Sequence, residues 1–252
     1  LNAAVDPAPR AAEPSPPAAT WPLPPESNAA GPGSPQPAAP DPVSGGVPTP
    51  LVIATGNAGK LREFTALLAA LPLAVRPQPQ GLEVEETGST FAANARLKAE
   101  AVARASGCWA LADDSGLEVA ALGGAPGVFS ARYGANDADR ISRLLRELAA
   151  ANQQRTAAGL AEDRGARFCA ALAVADPGGV IRLEVEGYCP GLILKAPRGE
   201  GGFGYDPVFL VPELGRTFAQ LDKAEKAAVG HRGRAFAQLE PLLRQLLAAA
   251  GG

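Results

Sequence analysis

Two pairs of adjacent carboxylates stand out as chemistry-bearing residues, Glu85-Glu86 and Asp113-Asp114. Such pairs suit Mg²⁺, a hard ion that takes one or two carboxylates together with waters and substrate phosphate oxygens. A neighbouring carboxylate can then orient or deprotonate an attacking water. Thr55-Gly56-Asn57-Ala58-Gly59-Lys60 supplies the complement. Its two glycines let backbone N–H groups point at an anion where a helix starts, Thr55 and Asn57 add neutral donors, and Lys60 adds a point charge. This segment is not a Walker A loop, which requires glycine at position 54 and a hydroxyl at 61, where the chain has Ala54 and Leu61. A P-loop ATPase or kinase is therefore disfavoured. A third cluster, Gly201-Gly202-Phe203-Gly204-Tyr205-Asp206-Pro207, frees the backbone to approach a ligand and offers Phe203 and Tyr205 as planes for a nucleobase. Lys226 and the pair His231-Arg232 have the reach and chemistry to contact a phosphate or a purine keto oxygen. Each cluster has a plainer reading as a solvated turn or an aromatic anchor. Taken together, with Ser115-Gly116 directly after the aspartates, they are better explained by catalysis.

The elements that must position these residues follow from hydrophobic periodicity. Residues 50–55 form a short apolar strand, and Leu61, Phe64, Leu67, Leu68 and Leu71 recur at helical spacing after the loop. A second helix is predicted from Thr90 to Ser106, closed by Gly107. Residues 109–112 read as a buried strand that ends on Asp113-Asp114, placing those carboxylates in a loop. A third helix is predicted over residues 137–151. Alternating residues 166–175 and 180–188 around Asp176-Pro177-Gly178-Gly179 form a hairpin. Lys226 and His231-Arg232 are placed just ahead of a final helix at about 234–249. Helices interleaved with strands, plus one hairpin, give an α/β fold with a mixed sheet.

Composition restricts the reading further. Of the 25 prolines, 15 fall within residues 1–50, together with 11 alanines. Such sequence cannot bury enough apolar surface to offset its ordering entropy, so residues 1–49 are expected to form a disordered tail and residues 50–252 the functional domain. Arg10 against Asp6, Glu13, Glu26 and Asp41 accounts for the whole net charge of −3. The charge-balanced remainder argues against a general nucleic-acid or membrane-surface binder. No run of about 18 apolar residues occurs that would span a bilayer. The tail lacks the apolar core of a signal peptide and the basic bias of a transit peptide. With Leu1 at its head and no methionine, an alternative start is expected rather than a removed leader. Cys108, Cys169 and Cys189 form no C-x-x-C pair and read as small buried residues of a reducing cytosol, and the single His231 precludes a histidine-based zinc cluster.

Eight segments then occur in order: Ala54–Lys60, Glu85–Gly88, Thr90–Ala95, Ala112–Gly116, Gly123–Gly127, Ser130–Tyr133, Gly201–Pro207 and His231–Gly233. Together they resemble the inosine/xanthosine triphosphate pyrophosphatase family, over nearly all of residues 51–249. The resemblance implies Mg²⁺-dependent hydrolysis of deaminated purine nucleoside triphosphates (ITP, dITP, XTP) to the monophosphate and pyrophosphate. It also implies an elongated, two-lobed α/β fold around a mixed sheet with the active site in the central cleft, and a cytoplasmic homodimer. By the same resemblance, Thr55, Gly56, Asn57 and Lys60 hold the triphosphate and Lys98 is a further phosphate contact. Asp114 is proton acceptor and metal ligand with Asp113 supporting it, and Glu86 is the second metal ligand, with its neighbour Glu85 as the alternative. Ser115, Phe203, Gly204, Tyr205, Asp206, Lys226, His231 and Arg232 hold the nucleotide and its base. A Maf-like pyrophosphatase of pyrimidine or modified nucleotides, and a non-catalytic nucleotide-binding regulator, are the alternatives.

Overall fold

The computed structural model describes residues 48–250, so the tail expected over residues 1–49 lies outside the described residues except for Pro48 and Thr49. Seven strands form one sheet: β1 (Thr49–Ala54), β2 (Leu73–Pro77), β3 (Trp109–Val119), β4 (Gly165–Ala175), β5 (Ile181–Ile193), β6 (Phe209–Val211) and β7 (Arg216–Thr217). Their spatial order is β2-β1-β3-β4-β5-β6-β7. β1 runs parallel to β2 and β3, and every later pairing is antiparallel. The helices are α1 (Ala58–Leu67), α2 (Phe91–Ser106), α3 (Asp137–Ala157), α4 (Lys223–Val229) and α5 (His231–Ala250). The fold is thus α/β with a mixed sheet, as anticipated.

β1 is apolar on both faces because both are covered. Leu51 and Ile53 face Phe64 of α1, Leu68 just past its end, and Phe236, Leu239 and Leu243 of α5. Val52 and Ala54 face α2. Burying each large α5 side chain contributes roughly 1.5–3 kcal/mol. The small side chains Ala95, Ala99 and Ala103 of α2 meet Ala110, Ala112, Ala171 and Ala173 of the sheet. Dispersion contacts across such an interface need close approach, which these side chains permit. Thr90 caps α2 through Ala93 N–H, and Gly107 ends it at φ +63°.

A second lobe shares the long strands. Leu144 and Leu148 of α3 pack with Leu117, Val119, Phe168, Phe209 and Phe218 over the far half of β3 to β5. The hairpin turn closes through Gly179 N–H to Asp176 O at 2.8 Å.

Three expectations change. β3 does not stop at Ala112 but runs to Val119, because Asp113 to Val119 pair with Leu172 back to Ala166 on β4. The hydrogen bonds of a long antiparallel partner keep the chain extended through its polar residues. α5 begins at His231, so His231 and Arg232 belong to its first turn, and Lys226 lies on the separate helix α4. α3 extends to Ala157, past the predicted end at 151. Strands β2, β6 and β7, absent from the sequence reading, complete the sheet.

Candidate active site

The crevice arises from unequal strand lengths. The β1 ladder with β3 ends at Ala54 opposite Ala112, and the β3 edge beyond it loses its β1 neighbour. From that point Asp113 and Asp114 face opposite sides of the sheet, as alternation along a strand requires. α1 and α2, leaving and returning on opposite faces, bring one lysine each to this edge.

Lys60 of α1 lies 2.8 Å from Asp113 Oδ2, and Arg232 Nε of α5 is 3.3 Å from the same oxygen. Arg232 also donates to Ser115 Oγ at 2.7 Å and to Glu63 Oε2 at 3.0 Å. On the other face, Lys98 Nζ of α2 is 2.8 Å from both Glu86 Oε1 and Asp114 Oδ1, and donates to Asp113 O at 2.9 Å. Asn94, fully buried, donates to Asp114 Oδ2 at 3.2 Å and accepts from Gly88 N–H at 2.7 Å. It thereby ties the Glu85-Glu86 segment to the strand. Glu86 is partly buried and bonded to Arg132 as well as Lys98, whereas Glu85 is exposed.

Electrostatics separates the two aspartates. Burial alone would raise Asp113, but Lys60 and Arg232 outweigh it and hold its carboxyl well below the usual range. Burial raises Asp114, and Lys98 only partly offsets it. One carboxylate is a fixed anion and its neighbour is the better proton acceptor. Burial lowers Lys60 despite Asp113, while Lys98 is raised because Asp114 and Glu86 overcome the effect of its burial.

The first loop differs from expectation in one respect. Asn57 Oδ1 accepts from Gly59 N–H at 2.8 Å and Lys60 N–H at 3.1 Å, capping α1 with its own side chain. Two donors expected to face an anion are thus taken up internally, and Thr55 Oγ1 accepts from Asn57 N–H. Gly56 has no neighbour within 4 Å of an added Cβ.

The glycine-rich loop lies across the crevice: a Cβ added to Gly59 would sit 3.8 Å from the Phe203 ring. Phe203 is exposed, with Lys226 Nζ 4.8 Å and the Arg232 guanidinium 5.7 Å from its centroid. Tyr205, paired with it as a base platform in the sequence reading, is instead buried in the second-lobe core, its hydroxyl donating to Ser130 O at 2.9 Å. Asp206 is also buried, accepting from Phe203 N–H at 2.9 Å and lying 2.5 Å from Lys226 Nζ. His231 stacks on Phe168 at 4.8 Å between ring centroids, with Nδ1 buried and unbonded. Burial lowers it well below its ordinary value and keeps it neutral.

The structure therefore gathers Lys60, Glu86, Lys98, Asp113, Asp114, Ser115 and Arg232 into one ionic network, faced by Phe203 and Lys226. Tyr205, Asp206 and His231 sit behind that surface. Sequence reasoning missed Glu63, Asn94, Arg132 and Asp137, each a single polar residue on a helix or turn. Asn94 and Arg132 lay inside quoted motifs, Glu63 and Asp137 outside them. Glu86 and Asp114 converge on one cationic point, the position of Lys98 Nζ. Among the described residues no group of three or more His, Cys, Asp or Glu could hold a metal. The carboxylates of Glu86 and Asp114 fit Mg²⁺, which takes one or two protein carboxylates together with waters and phosphate oxygens and does not need an all-protein cage.

In open α/β sheets, ligands bind at the carboxyl ends of the strands where successive helices depart to opposite faces, and this crevice occupies that place. Fold and site together define an α/β protein built to hold a phosphorylated ligand. The Ham1 family profile matches residues 51–242, and the chain belongs to that family. It is 61% identical over 199 residues to a dITP/XTP pyrophosphatase of Parasynechococcus marenigrum (strain WH8102), covering 79% of this chain and 97% of the relative. It is 59% identical over 197 residues to the dITP/XTP pyrophosphatase of Synechococcus sp. (strain CC9311), covering 78% and 91%. A HAM1 protein from Coxiella burnetii superposes with a TM-score of 0.71 at 43% identity, over 78% of this chain and all but 1% of the other, which is covered to 99%. The resemblance read from the eight segments is borne out, and with it the two-lobed α/β architecture.

Proposed function

We propose that this chain hydrolyses deaminated purine nucleoside triphosphates, ITP, dITP and XTP, to the monophosphate and pyrophosphate. The observation that carries the reading is the crevice itself, where Lys60, Lys98 and Arg232 surround Asp113 and Asp114 opposite an exposed aromatic ring. Relatives 61% and 59% identical described as dITP/XTP pyrophosphatases support it.

The chemistry follows from the residues. Lys60 and Arg232 exchange part of their pairing with Asp113 for the triphosphate, as Lys98 does its pairing with the acidic residues. Phe203 stacks the base, and Lys226 above it offers a donor to the six-position keto oxygen, where an amino base would face donor with donor. Asp114 orients a water toward the α-phosphorus and accepts its proton. A water O–P bond forms, the bond from the α-phosphorus to the bridging oxygen breaks, and pyrophosphate departs with that electron pair. Glu86 and Asp114 would hold Mg²⁺, which supplies neutralisation of phosphate charge when bound. Asp113, ionised throughout, keeps Lys60 and Arg232 in place.

As a family resemblance implies, we also propose a cytoplasmic homodimer. No helix among the described residues is long and apolar enough to cross a membrane. The test is product analysis on ITP with Mg²⁺. Inosine monophosphate with pyrophosphate is the expected result, and inosine diphosphate with orthophosphate would refute the proposal. Preferential turnover of dTTP or UTP would refute the purine assignment.

A further inference from the structure

The loop that carries Phe203 is poorly suited to holding a ring still. Gly199, Gly202 and Gly204 all have positive φ, at +83°, +74° and +62°, and glycine restricts the backbone least. Its order must come from outside ties. Gly201 N–H reaches Ala219 O at 3.1 Å, and the Tyr205 hydroxyl anchors the far end on Ser130. At the ring itself, two successive backbone N–H groups are each held by a carboxylate. Phe203 N–H goes to Asp206 Oδ2, and Gly204 N–H goes to Asp137 Oδ2 at 2.7 Å. Asp206 lies in the same loop, three residues past Phe203, where Lys226 of α4 pairs with its carboxylate. Asp137 lies outside the loop: it is the first residue of α3, 67 positions away in sequence, and its other oxygen is fixed by Arg140 at 2.6 Å.

We infer that Asp137 is a positioning residue for base recognition, fixing the turn so that Phe203 faces the Gly59 loop. Resting on the proposed reading of Phe203 as the base platform, the inference adds a residue that touches neither phosphate nor reacting atoms. Removing it loosens the base platform while leaving the ionic network around Asp113 and Asp114 unchanged. Affinity for a base-bearing substrate falls, and the chemical step and the affinity for a base-free polyphosphate do not.

The experiment compares Asp137→Ala, Asp137→Asn and Phe203→Ala in steady-state turnover of ITP, with inorganic tripolyphosphate as a base-free competitor. Loss of a charge-assisted hydrogen bond at a half-exposed site should raise KM for ITP roughly fivefold in D137A. kcat should stay within about twofold and the tripolyphosphate inhibition constant should be unchanged. D137N keeps an acceptor for Gly204 N–H and should restore KM to within about twofold. Should D137A fail to fold, Asp137→Ser, too short to reach Gly204 N–H, carries the same expectation. An unaltered KM in D137A, a tripolyphosphate constant rising in parallel with KM, or D137N no better than D137A each overturns the inference. F203A separates the two levels. If F203A raises KM and D137A does not, only the role of Asp137 fails. If F203A leaves KM unchanged, the base platform itself is wrong, and the role of Asp137 falls with it.

Discussion

Asp113→Asn should be the most informative single change, because it removes charge and little else. Asp113 Oδ2 meets Lys60, Arg232 and Ser115, while Oδ1 is buried with no partner. An asparagine can therefore put its carbonyl oxygen in place of Oδ2 and its amide where Oδ1 now lies. The acceptor survives and the anion does not. Lys60 and Arg232 are then left as two largely buried cations, one of them still paired with Glu63. Removing one member of a buried ion pair costs about 3–5 kcal/mol, since the other charge stays buried and uncompensated. For a folded unit of about 200 residues, roughly 2–4 °C accompanies each kcal/mol, so a fall in Tm of about 6–20 °C is expected.

The sign with pH is fixed by the direction of the shift. The folded carboxyl is depressed below its ordinary value of 3.8, so its contribution is complete above that pH and is lost as pH falls toward the folded value. Wild type and D113N should therefore differ most above about pH 4, and the gap should close progressively as pH falls below it toward the folded value. Tripolyphosphate should narrow the gap, because it neutralises the same two cations and binds only the folded state. Urea unfolding of both proteins at pH 7 and in a series from about pH 4 down to about pH 2, with and without tripolyphosphate, measures every part of this. A D113N protein within about 0.5 kcal/mol of wild type at pH 7 would refute the claim that Asp113 is the counter-charge holding the crevice together.

Three further outcomes are expected. Asn94→Ala leaves Gly88 N–H unpaired and strips Asp114 Oδ2 of its amide donor, so kcat should fall about 10–100-fold, as for supporting groups around a metal-binding carboxylate, and normal turnover would remove Asn94 from the site. Glu86→Gln should raise the Mg²⁺ concentration needed for half-maximal turnover at least about tenfold, and Glu85→Gln should not; equal effects in a Mg²⁺ titration would overturn the assignment to Glu86. His231, the only histidine in the chain, is buried neutral with its folded value lowered, so wild-type stability should be full above about pH 6.5 and decline below it by up to roughly 1.4 kcal/mol per pH unit. His231→Phe should flatten that decline in urea midpoints taken at pH 7.5 and 5.5, and an unchanged slope would show that the imidazole titrates freely.

What the sequence made legible, and what it hid, divides along one physical line. Local signals carried: Thr90 and Gly107 bound α2 because capping needs only a side-chain oxygen or a positive φ within a few residues. The hairpin around Asp176 to Gly179 is equally local. Where the outcome depends on a distant partner, the local reading fell short. Asp113-Asp114 looks like the polar end of a strand, yet β4 pairs with it residue for residue, and that pairing sends the two carboxylates to opposite faces. Their separation is what allows one to be held ionised by Lys60 and Arg232 while burial raises the other. Phe203 and Tyr205 look equivalent two residues apart, and only the packing of the second lobe sends one ring to the crevice and the other to the core. Asp137 and Asn94 show the same dependence, for each acts through a backbone N–H that no spacing rule connects to it. The residue types of the candidate site were thus readable from the chain. Their division of labour is a property of strand register and lobe packing, which is why D113N, N94A and D137A are expected to fail in three different measurements although all three side chains serve one crevice.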